Sequence, residues 1–146
     1  MRIAWVIYGA LEQMTGGYLY DREIVRGLRA MDHDVLVWSL PDTARTEAVR
    51  ALIDAVQAGR FDVCVGDELC FRELGPTFEA LAGGPVRVLL VHHLARWEGC
   101  GERDRAAEER AIAAADTVVV TSTTSARRLA DEGCTAPLAE IGRAHV

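Results

Sequence analysis

Five short runs of apolar, β-favouring residues alternate along this chain with segments of helical periodicity. The runs are too short for long helices or membrane spans, and they suit strands that are buried on both faces. Parallel neighbours in a sheet require crossover connections, which the intervening helical segments supply. The pattern predicts an α/β domain with a Rossmann-like parallel sheet and helices on both faces. The predicted strands are residues 3–8, 35–40, 61–66, 86–91 and 117–121.

The first predicted strand leads into a loop that contains three glycines. Gly9 ends the run IAWVIY, and Gly16 and Gly17 precede an amphipathic helical segment. The spacing differs from the G-x-G-x-x-G of dinucleotide-binding domains, which disfavours a nucleotide-dependent oxidoreductase. Two interpretations stay open for this loop: a plain turn with a positive φ angle at Gly16 or Gly17, and a backbone cradle for an anion. The position of the loop between the first strand and a helix N-terminus favours the interpretation as an anion cradle.

Composition and charge narrow the functional classes. The length of 146 residues suits one domain, and a net charge of -6 with a pI near 5.2 argues against nucleic-acid binding. No run approaches the roughly 18 apolar residues of a spanning helix, and Met1 and Arg2 lead directly into a strand without a signal region. We therefore expect a cytoplasmic protein without a transmembrane segment, and peripheral membrane contact stays open.

The four cysteines lack metal or redox spacings, so we expect reduced thiols, with Cys64 in a strand core and the others in loops.

Small and polar residues follow the carboxyl ends of the predicted strands, where ligands bind in open parallel sheets. Two adjacent histidines in an extended chain point to opposite sides, so one of the pair is expected to face the crevice. Trp97 fits either the core or a cleft. A metal site is disfavoured because no ligand spacing supports the set that it would use, which is Asp67, Glu68, His93 and Glu98. The candidates by position are Gly9, Gly16, Asp67, Glu68, His92, His93, Thr121 and Ser122.

Four segments carry a family resemblance, in the family's order: MRIAWVIYG, TGGYLYDREIVRGLRAMDHDVLVWSLP, VLLVHHL and AADTVVVTSTTSARRL. Together they resemble the amino-terminal, Rossmann-like half of a family 4 glycosyltransferase with the two-domain GT-B fold, and the similarity extends to about Pro137. The resemblance implies retaining transfer of a sugar from a nucleotide-sugar to an acceptor, with no cofactor and no obligatory metal. In such enzymes the amino-terminal half shapes the acceptor side, and the carboxyl-terminal half holds the nucleotide-sugar.

The resemblance also implies roles for individual residues. Gly16 and Gly17 match the family's glycine loop, whose N–H groups approach the donor diphosphate and stabilise its charge. The family's cleft histidine maps onto His92 and His93, and we favour His93 as the catalytic residue that hydrogen-bonds the donor sugar. The TS pair that ends the fifth predicted strand is assigned a structural role. By position and not by motif, the acceptor-side candidates are Asp67, Glu68, Trp97 and Glu98.

Beyond residue 139 the sequence departs from the family pattern, which continues into a second Rossmann-like domain with a paired-glutamate donor motif. Residues 140–146, EIGRAHV, look like a translated sequencing-adapter read-through. We therefore expect an acceptor-side domain over residues 1–139 and a non-native tail over residues 140–146. Such a fragment is expected to be inactive alone, because half a cleft cannot hold donor and acceptor in attack geometry. The alternative is a stand-alone Rossmann-like domain that binds a small ligand or a protein. The donor, the acceptor and the oligomeric state do not follow from the sequence.

Overall fold

The computed structural model of the protein describes residues 1–141, which form one parallel sheet of six strands and five α-helices. The Rossmann-like α/β class is confirmed, and each of the five predicted strands is present. Within this described part, no helix is long and apolar enough to cross a bilayer. The strands are β1 (Arg2–Tyr8), β2 (Asp34–Leu40), β3 (Val63–Asp67), β4 (Val86–Val91), β5 (Thr117–Val120) and β6 (Leu138–Glu140). The helices are α1 (Gly16–Ala30), α2 (Arg45–Ala58), α3 (Phe71–Ala80), α4 (Glu102–Ala114) and α5 (Thr123–Asp131).

The order of the strands creates a switch point in the sheet. The order is β2-β1-β3-β4-β5-β6, and every neighbouring pair runs parallel. The chain passes from β1 outward to β2 and then returns across β1 to β3, so the direction of winding reverses between β1 and β3. Because crossovers are right-handed, this reversal sends α1 to one face and the later helices to the other. Ligands of open α/β sheets bind beyond the carboxyl ends of the strands at such a point.

Each face of the sheet carries its own apolar layer. Successive side chains of β1 point to opposite faces, so the strand contributes to both layers. The layer under α1 includes Ile3, Trp5, Ile7, Tyr18 and Val25. The layer under the later helices includes Ala4, Val6, Leu52, Leu74, Ile112 and Leu129. Helices therefore cover both faces of the sheet, as the sequence predicted.

The third helix begins earlier than the sequence pattern indicated. The sequence by itself shows only a weak helical pattern, near residues 77–82, whereas α3 spans Phe71–Ala80 and follows a 3-10 turn over Glu68–Cys70. Pro76 lies inside α3, where it lacks an N–H group and lowers the local helical preference. Leu74 and Phe78 are fully buried. Their packing outweighs the local preference, which is why the helix forms where the sequence signal is weak.

Burial of the cysteines corrects one expectation. Cys64 lies in the β3 core as predicted. Cys70 was expected in a loop, but it is fully buried because it ends the 3-10 turn that packs against the core. Cys100 and Cys134 are partly exposed, and all four thiols are free. Burial raises the pKa of Cys64 to about 12, so this thiol stays protonated at neutral pH.

A sixth strand, absent from the sequence prediction, forms one edge of the sheet. β6 pairs in parallel with β5. The backbone N–H of Ile141 extends this ladder by donating to the carbonyl oxygen of Val120 at 2.9 Å. The predicted boundary at residue 139 therefore falls inside a strand, and the first two residues of the predicted tail belong to the sheet edge. The rest of that tail, residues 142–146, lies outside the described residues.

Candidate functional site

A crevice of about 350 Å³ lies at the carboxyl edge of the sheet, between the start of α1 and the segment that follows β4. Segments that are far apart in the sequence meet there, because the carboxyl ends of parallel strands share one edge. The predicted site residues that line it are Gly17, Glu68, His92, His93 and Glu98. Those that lie outside this lining are Gly9, Gly16, Asp67, Trp97, Thr121 and Ser122.

The glycine loop leads directly into α1. Gly16 and Gly17 are the first two residues of that helix, and neither has a positive φ angle. The interpretation of a turn with positive φ at one of them is therefore wrong, and the positive φ of the loop belongs to Gly9, at 60°. Thr15 precedes the helix in an extended conformation without a side-chain cap. The first N–H groups of α1 are thus left without a capping side chain from Thr15, which is the arrangement that an anion site uses.

Gly17 allows a close approach between α1 and the residues after β4. A Cβ atom added at Gly17 would lie 3.7 Å from Cδ2 of His92. A Cβ atom added at Gly16 would meet nothing within 4 Å. The space beside Gly17 is therefore bounded by the imidazole of His92, whereas Gly16 faces open space.

A buried carboxylate holds the two histidines at the end of β4. Glu68 accepts the backbone N–H of His92 and that of His93, each at 3.0 Å. The chain bends at His92, so the alternation of an extended strand no longer applies, and both histidines line the crevice. The expectation that only one of them would face it is wrong. Because both oxygens of Glu68 are occupied by these bonds, its role here is to position the histidines.

Beneath the crevice, His92 contacts two buried carboxylates. Its Nε2 lies 3.2 Å from Oδ1 of Asp21 and 3.4 Å from Oδ2 of Asp67. Asp21 is 0% exposed and Asp67 is 2% exposed. The other oxygen of Asp67 accepts the backbone N–H of Leu69 at 2.8 Å. We refer to Asp21, Asp67 and His92 as the buried triad.

Burial and mutual contact shift the ionisation of these groups. Burial raises the pKa of Asp21 to about 7, although its hydrogen bond with His92 opposes the shift. Burial and the charge of Asp67 likewise raise the pKa of Glu68 to about 7. Burial lowers the pKa of His92, but its hydrogen bonds to Asp21 and Asp67 outweigh this effect and raise the pKa to about 10. When no metal ion is bound, the imidazole of His92 is therefore positively charged at neutral pH.

His93 is more accessible than its neighbour. Its side chain is 51% exposed, against 16% for His92. Its Nε2 lies 3.3 Å from Oε1 of Glu98, whose own side chain is largely exposed. The ring meets Trp97 edge-on, with the centroids 5.3 Å apart. His93 therefore presents an imidazole that a ligand in the crevice can reach.

Trp97 packs against α5 and not into the crevice. Its indole N–H donates to Oε1 of Glu132 at 2.8 Å. The guanidinium of Arg128 lies over the indole ring, 4.8 Å from its centroid. At the other end of α5, Ser122 caps the helix by accepting the N–H of Ser125 at 3.1 Å. The structural role that was assigned to the TS pair is consistent with this cap.

Asp21 was not singled out in the sequence, although a signal for it exists. It lies on the same face of α1 as Tyr18 and Val25, at spacings of three and four residues, and all three side chains are buried. A carboxylate on the apolar face of an amphipathic helix needs a partner, because an isolated buried charge is costly. That pattern marks Asp21 as unusual, but it does not name His92 as the partner.

Glu108 is a second buried carboxylate that the sequence analysis missed. It is 1% exposed and accepts the backbone N–H of Ala95 at 2.6 Å and that of Arg96 at 3.2 Å. These bonds fix the 3-10 turn over Ala95–Trp97, next to the crevice. The sequence signal is again a carboxylate on an apolar helix face, here three residues before Ala111.

The crevice is acidic. Its lining carries the carboxyl groups of Glu68, Glu98 and Glu108, and the described lining contains no arginine or lysine. Asp21 and Asp67 add two more carboxyl groups beneath it. A cleft lined by one sign of charge concentrates ions of the opposite sign, so these carboxyl groups favour cations, whereas the N–H groups at the start of α1 favour anions.

No protein-family profile matches the chain, and the comparison with curated proteins gave no match. The fold defines the class of protein, which is a Rossmann-like α/β domain with a parallel sheet. The site is a polar crevice at the carboxyl edge of that sheet, next to the start of α1. Membership of a glycosyltransferase family is a proposal that rests on the sequence resemblance.

Proposed function

We propose that this chain is the amino-terminal, acceptor-side domain of a retaining glycosyltransferase that uses a nucleotide-sugar donor. The observation that carries the proposal is that Gly17, at the start of α1, and His93 line one crevice. A helix N-terminus offers N–H donors to a diphosphate, and a neighbouring imidazole offers a hydrogen bond to a sugar hydroxyl. Both groups meet at one crevice, and the resemblance assigns both to the donor.

In this proposal the two glycines and His93 act on the donor. The N–H groups at Gly16 and Gly17 stabilise the negative charge that develops on the departing diphosphate. His93, whose imidazole is accessible, hydrogen-bonds the donor sugar near the reacting carbon. His92 positions the neighbouring backbone, since its Nε2 contacts the carboxylates of Asp21 and Asp67.

The four acceptor-side candidates differ in how well their surroundings suit that role. Glu98 is exposed at the crevice and is the residue best placed to contact an acceptor. Asp67 and Glu68 are buried and hydrogen-bonded to the backbone, so we assign them to positioning the histidines. Trp97 contributes through its edge contact with His93.

Binding of the donor phosphates can be tested on the chain as it is. Nuclear magnetic resonance titration of isotope-labelled protein with UDP and GDP should show saturable shifts at Gly16, Gly17 and the two histidines. Gly16→Ala and Gly27→Ala form a matched pair, because both lie in α1 and neither added Cβ meets an atom within 4 Å. We expect only Gly16→Ala to weaken binding, by on the order of tenfold, or about 1.4 kcal/mol. Equal effects of the two variants would remove the glycine loop from the site.

Sequencing of the source DNA tests the family assignment. Reading it beyond the codon for Ala139 should reveal a second α/β domain with paired glutamates. The product of that longer frame is expected to transfer sugar from a nucleotide-sugar, whereas the 146-residue chain alone is expected to be inactive. In the longer protein, His93→Ala should lower kcat by about 100-fold or more, as expected for loss of one transition-state hydrogen bond. If the natural frame ends at Val146, a stand-alone ligand- or protein-binding domain replaces the proposal.

A further inference from the structure

We propose that the buried triad, Asp21, Asp67 and His92, binds a divalent metal ion at the base of the crevice. One ligand atom from each residue lies within 4.8 Å of the other two. The Nε2 atom of His92 lies 3.2 Å from a carboxylate oxygen of Asp21 and 3.4 Å from one of Asp67. Metal–ligand bonds of about 2.1 Å at right angles place two ligand atoms about 3 Å apart. To surround an ion, the triad therefore needs small shifts and the release of the Nε2 proton of His92 to solvent.

An unpaired carboxylate oxygen points to a missing ligand. Asp21 is 0% exposed, and its Oδ2 has no hydrogen-bond partner among residues 1–141. This oxygen is shielded from water. Leaving a charged carboxylate oxygen unpaired there costs more free energy than leaving a neutral polar group unpaired. The other oxygen of the same carboxylate faces His92. A cation held between Asp21 and Asp67 would pair with Oδ2 of Asp21, or it would replace the contact between Oδ1 of Asp21 and His92.

The balance of charge favours a cation as well. The buried carboxyl groups of Asp21, Asp67 and Glu68 surround one imidazole. One nitrogen, Nε2 of His92, faces both aspartates. Buried charges that outnumber their partners are unfavourable, and a bound metal ion removes the excess without protonating the carboxylates.

The surroundings already hold the ligands as a metal site requires. Glu68 fixes the backbone of His92, and the N–H of Leu69 fixes the carboxylate of Asp67. Such outer contacts orient metal ligands and raise affinity. The neighbouring crevice, lined by Gly17 on one side, leaves room for water molecules or a ligand to complete the coordination.

The ligand set selects the type of metal. Two carboxylate oxygens and one imidazole nitrogen suit Mn²⁺ or Mg²⁺ better than a metal that prefers thiolates. The free thiols of Cys100 and Cys134 are partly exposed and would attract Zn²⁺ elsewhere on the chain. Mn²⁺ is therefore the better probe. A bound Mn²⁺ would also reverse the local charge of the acidic crevice and let an anionic ligand enter.

Titration of the intact chain with Mn²⁺, followed by electron paramagnetic resonance, tests this site independently of sugar transfer. We expect one saturable site. Asp21→Asn should weaken Mn²⁺ binding by at least about tenfold, because asparagine keeps the shape of the side chain but removes its charge. Glu23→Gln is the matched control, since it removes a partly exposed carboxylate from the same helix, and it should change affinity less than about twofold. Absence of saturable binding at millimolar Mn²⁺, or equal weakening by both variants, would overturn the proposal.

A second measurement keeps the proposal decidable if Asp21→Asn does not fold. Bound Mn²⁺ broadens the resonances of nearby amides in the wild-type protein. The amides of Gly17, Asp21, Asp67 and His92 should broaden first. Broadening that begins at exposed carboxylates away from the crevice would overturn the assignment to the buried triad. Asp67→Asn offers an independent ligand variant, and it should weaken Mn²⁺ binding to a similar extent as Asp21→Asn.

Discussion

Gly17 faces the imidazole of His92, and a methyl group added at Gly17 would sit 3.7 Å from Cδ2 and 3.9 Å from Nε2. These are ordinary van der Waals distances. Gly17→Ala should therefore fold, with a free energy of unfolding within about 1 kcal/mol of wild type, because the gain in helical preference offsets the new contact. Gly17→Leu should displace the imidazole from its carboxylates and destabilise the protein by about 2 kcal/mol.

Urea unfolding of both variants checks this prediction, with Gly27→Ala as the control in the same helix. Gly27 has no atom within 4 Å of an added Cβ, so its replacement should stabilise the protein by about 0.5–1 kcal/mol. A Gly17→Leu variant as stable as Gly17→Ala would mean that His92 moves freely. The limited space between Gly17 and His92 would then not fix the position of the imidazole.

The two histidines should differ sharply in their effect on stability. His92→Ala removes the charged partner of two buried carboxylates and should lower the free energy of unfolding by about 3 kcal/mol. His93→Ala removes an exposed ring whose contact with Glu98 is also exposed, and it should cost less than about 1 kcal/mol. Chemical unfolding at neutral pH measures both losses. Similar losses would contradict the division between a buried positioning histidine and an accessible one.

Gly66 is required by the packing of Leu74. A Cβ atom added at Gly66 would lie 2.3 Å from Cδ2 and 2.5 Å from Cδ1 of Leu74, which is fully buried and cannot move aside. Gly66→Ala should therefore destabilise the protein by about 1–3 kcal/mol. In a double-mutant cycle with Leu74→Ala, the combined loss should be smaller than the sum of the single losses, because the smaller side chain makes room for the methyl group. Strict additivity would show that the two residues do not clash.

Acid should weaken the connection between β4 and β5. The side-chain and backbone N–H groups of Arg87 lower the pKa of Asp116 to about 2. A lowered pKa in the folded state means that this stabilisation is present above the ordinary pKa near 4 and is lost as the pH falls from about 4 to about 2. The side chain of Asp116 is 42% exposed, so solvent screening limits the effect to less than about 1 kcal/mol. Asp116→Asn should flatten the pH dependence of the urea midpoint over that interval, and an unchanged slope would contradict the prediction.

Much of the fold could be read from local patterns. The predicted strands were found because buried parallel strands are short and continuously apolar, and that signal does not depend on distant residues. α3 was placed too late because Pro76 interrupts its pattern while the buried Leu74 and Phe78 stabilise it. β6 was missed because three residues at a sheet edge carry too weak a pattern.

The candidate site was only partly accessible to the same reasoning. The strand-end rule collected Glu68 and both histidines, because all parallel strands of one sheet end at one edge. It did not find Asp21, which reaches the site from the buried face of α1. The acceptor-side role of Glu68 stays a prediction, and no local pattern showed that its two oxygens accept backbone N–H groups after β4.

By itself, the sequence determined the class of the domain, the succession of its strands and helices, and the set of strand-end residues, because apolar periodicity and chain direction are local properties. Only the tertiary structure decided the strand order that places the switch point between β1 and β3. It also decided that Asp21 and Asp67 enclose the Nε2 atom of His92. The reason is physical: the charge of a buried group depends on how far water is excluded and on which groups surround it, and both are set by contacts between distant parts of the chain.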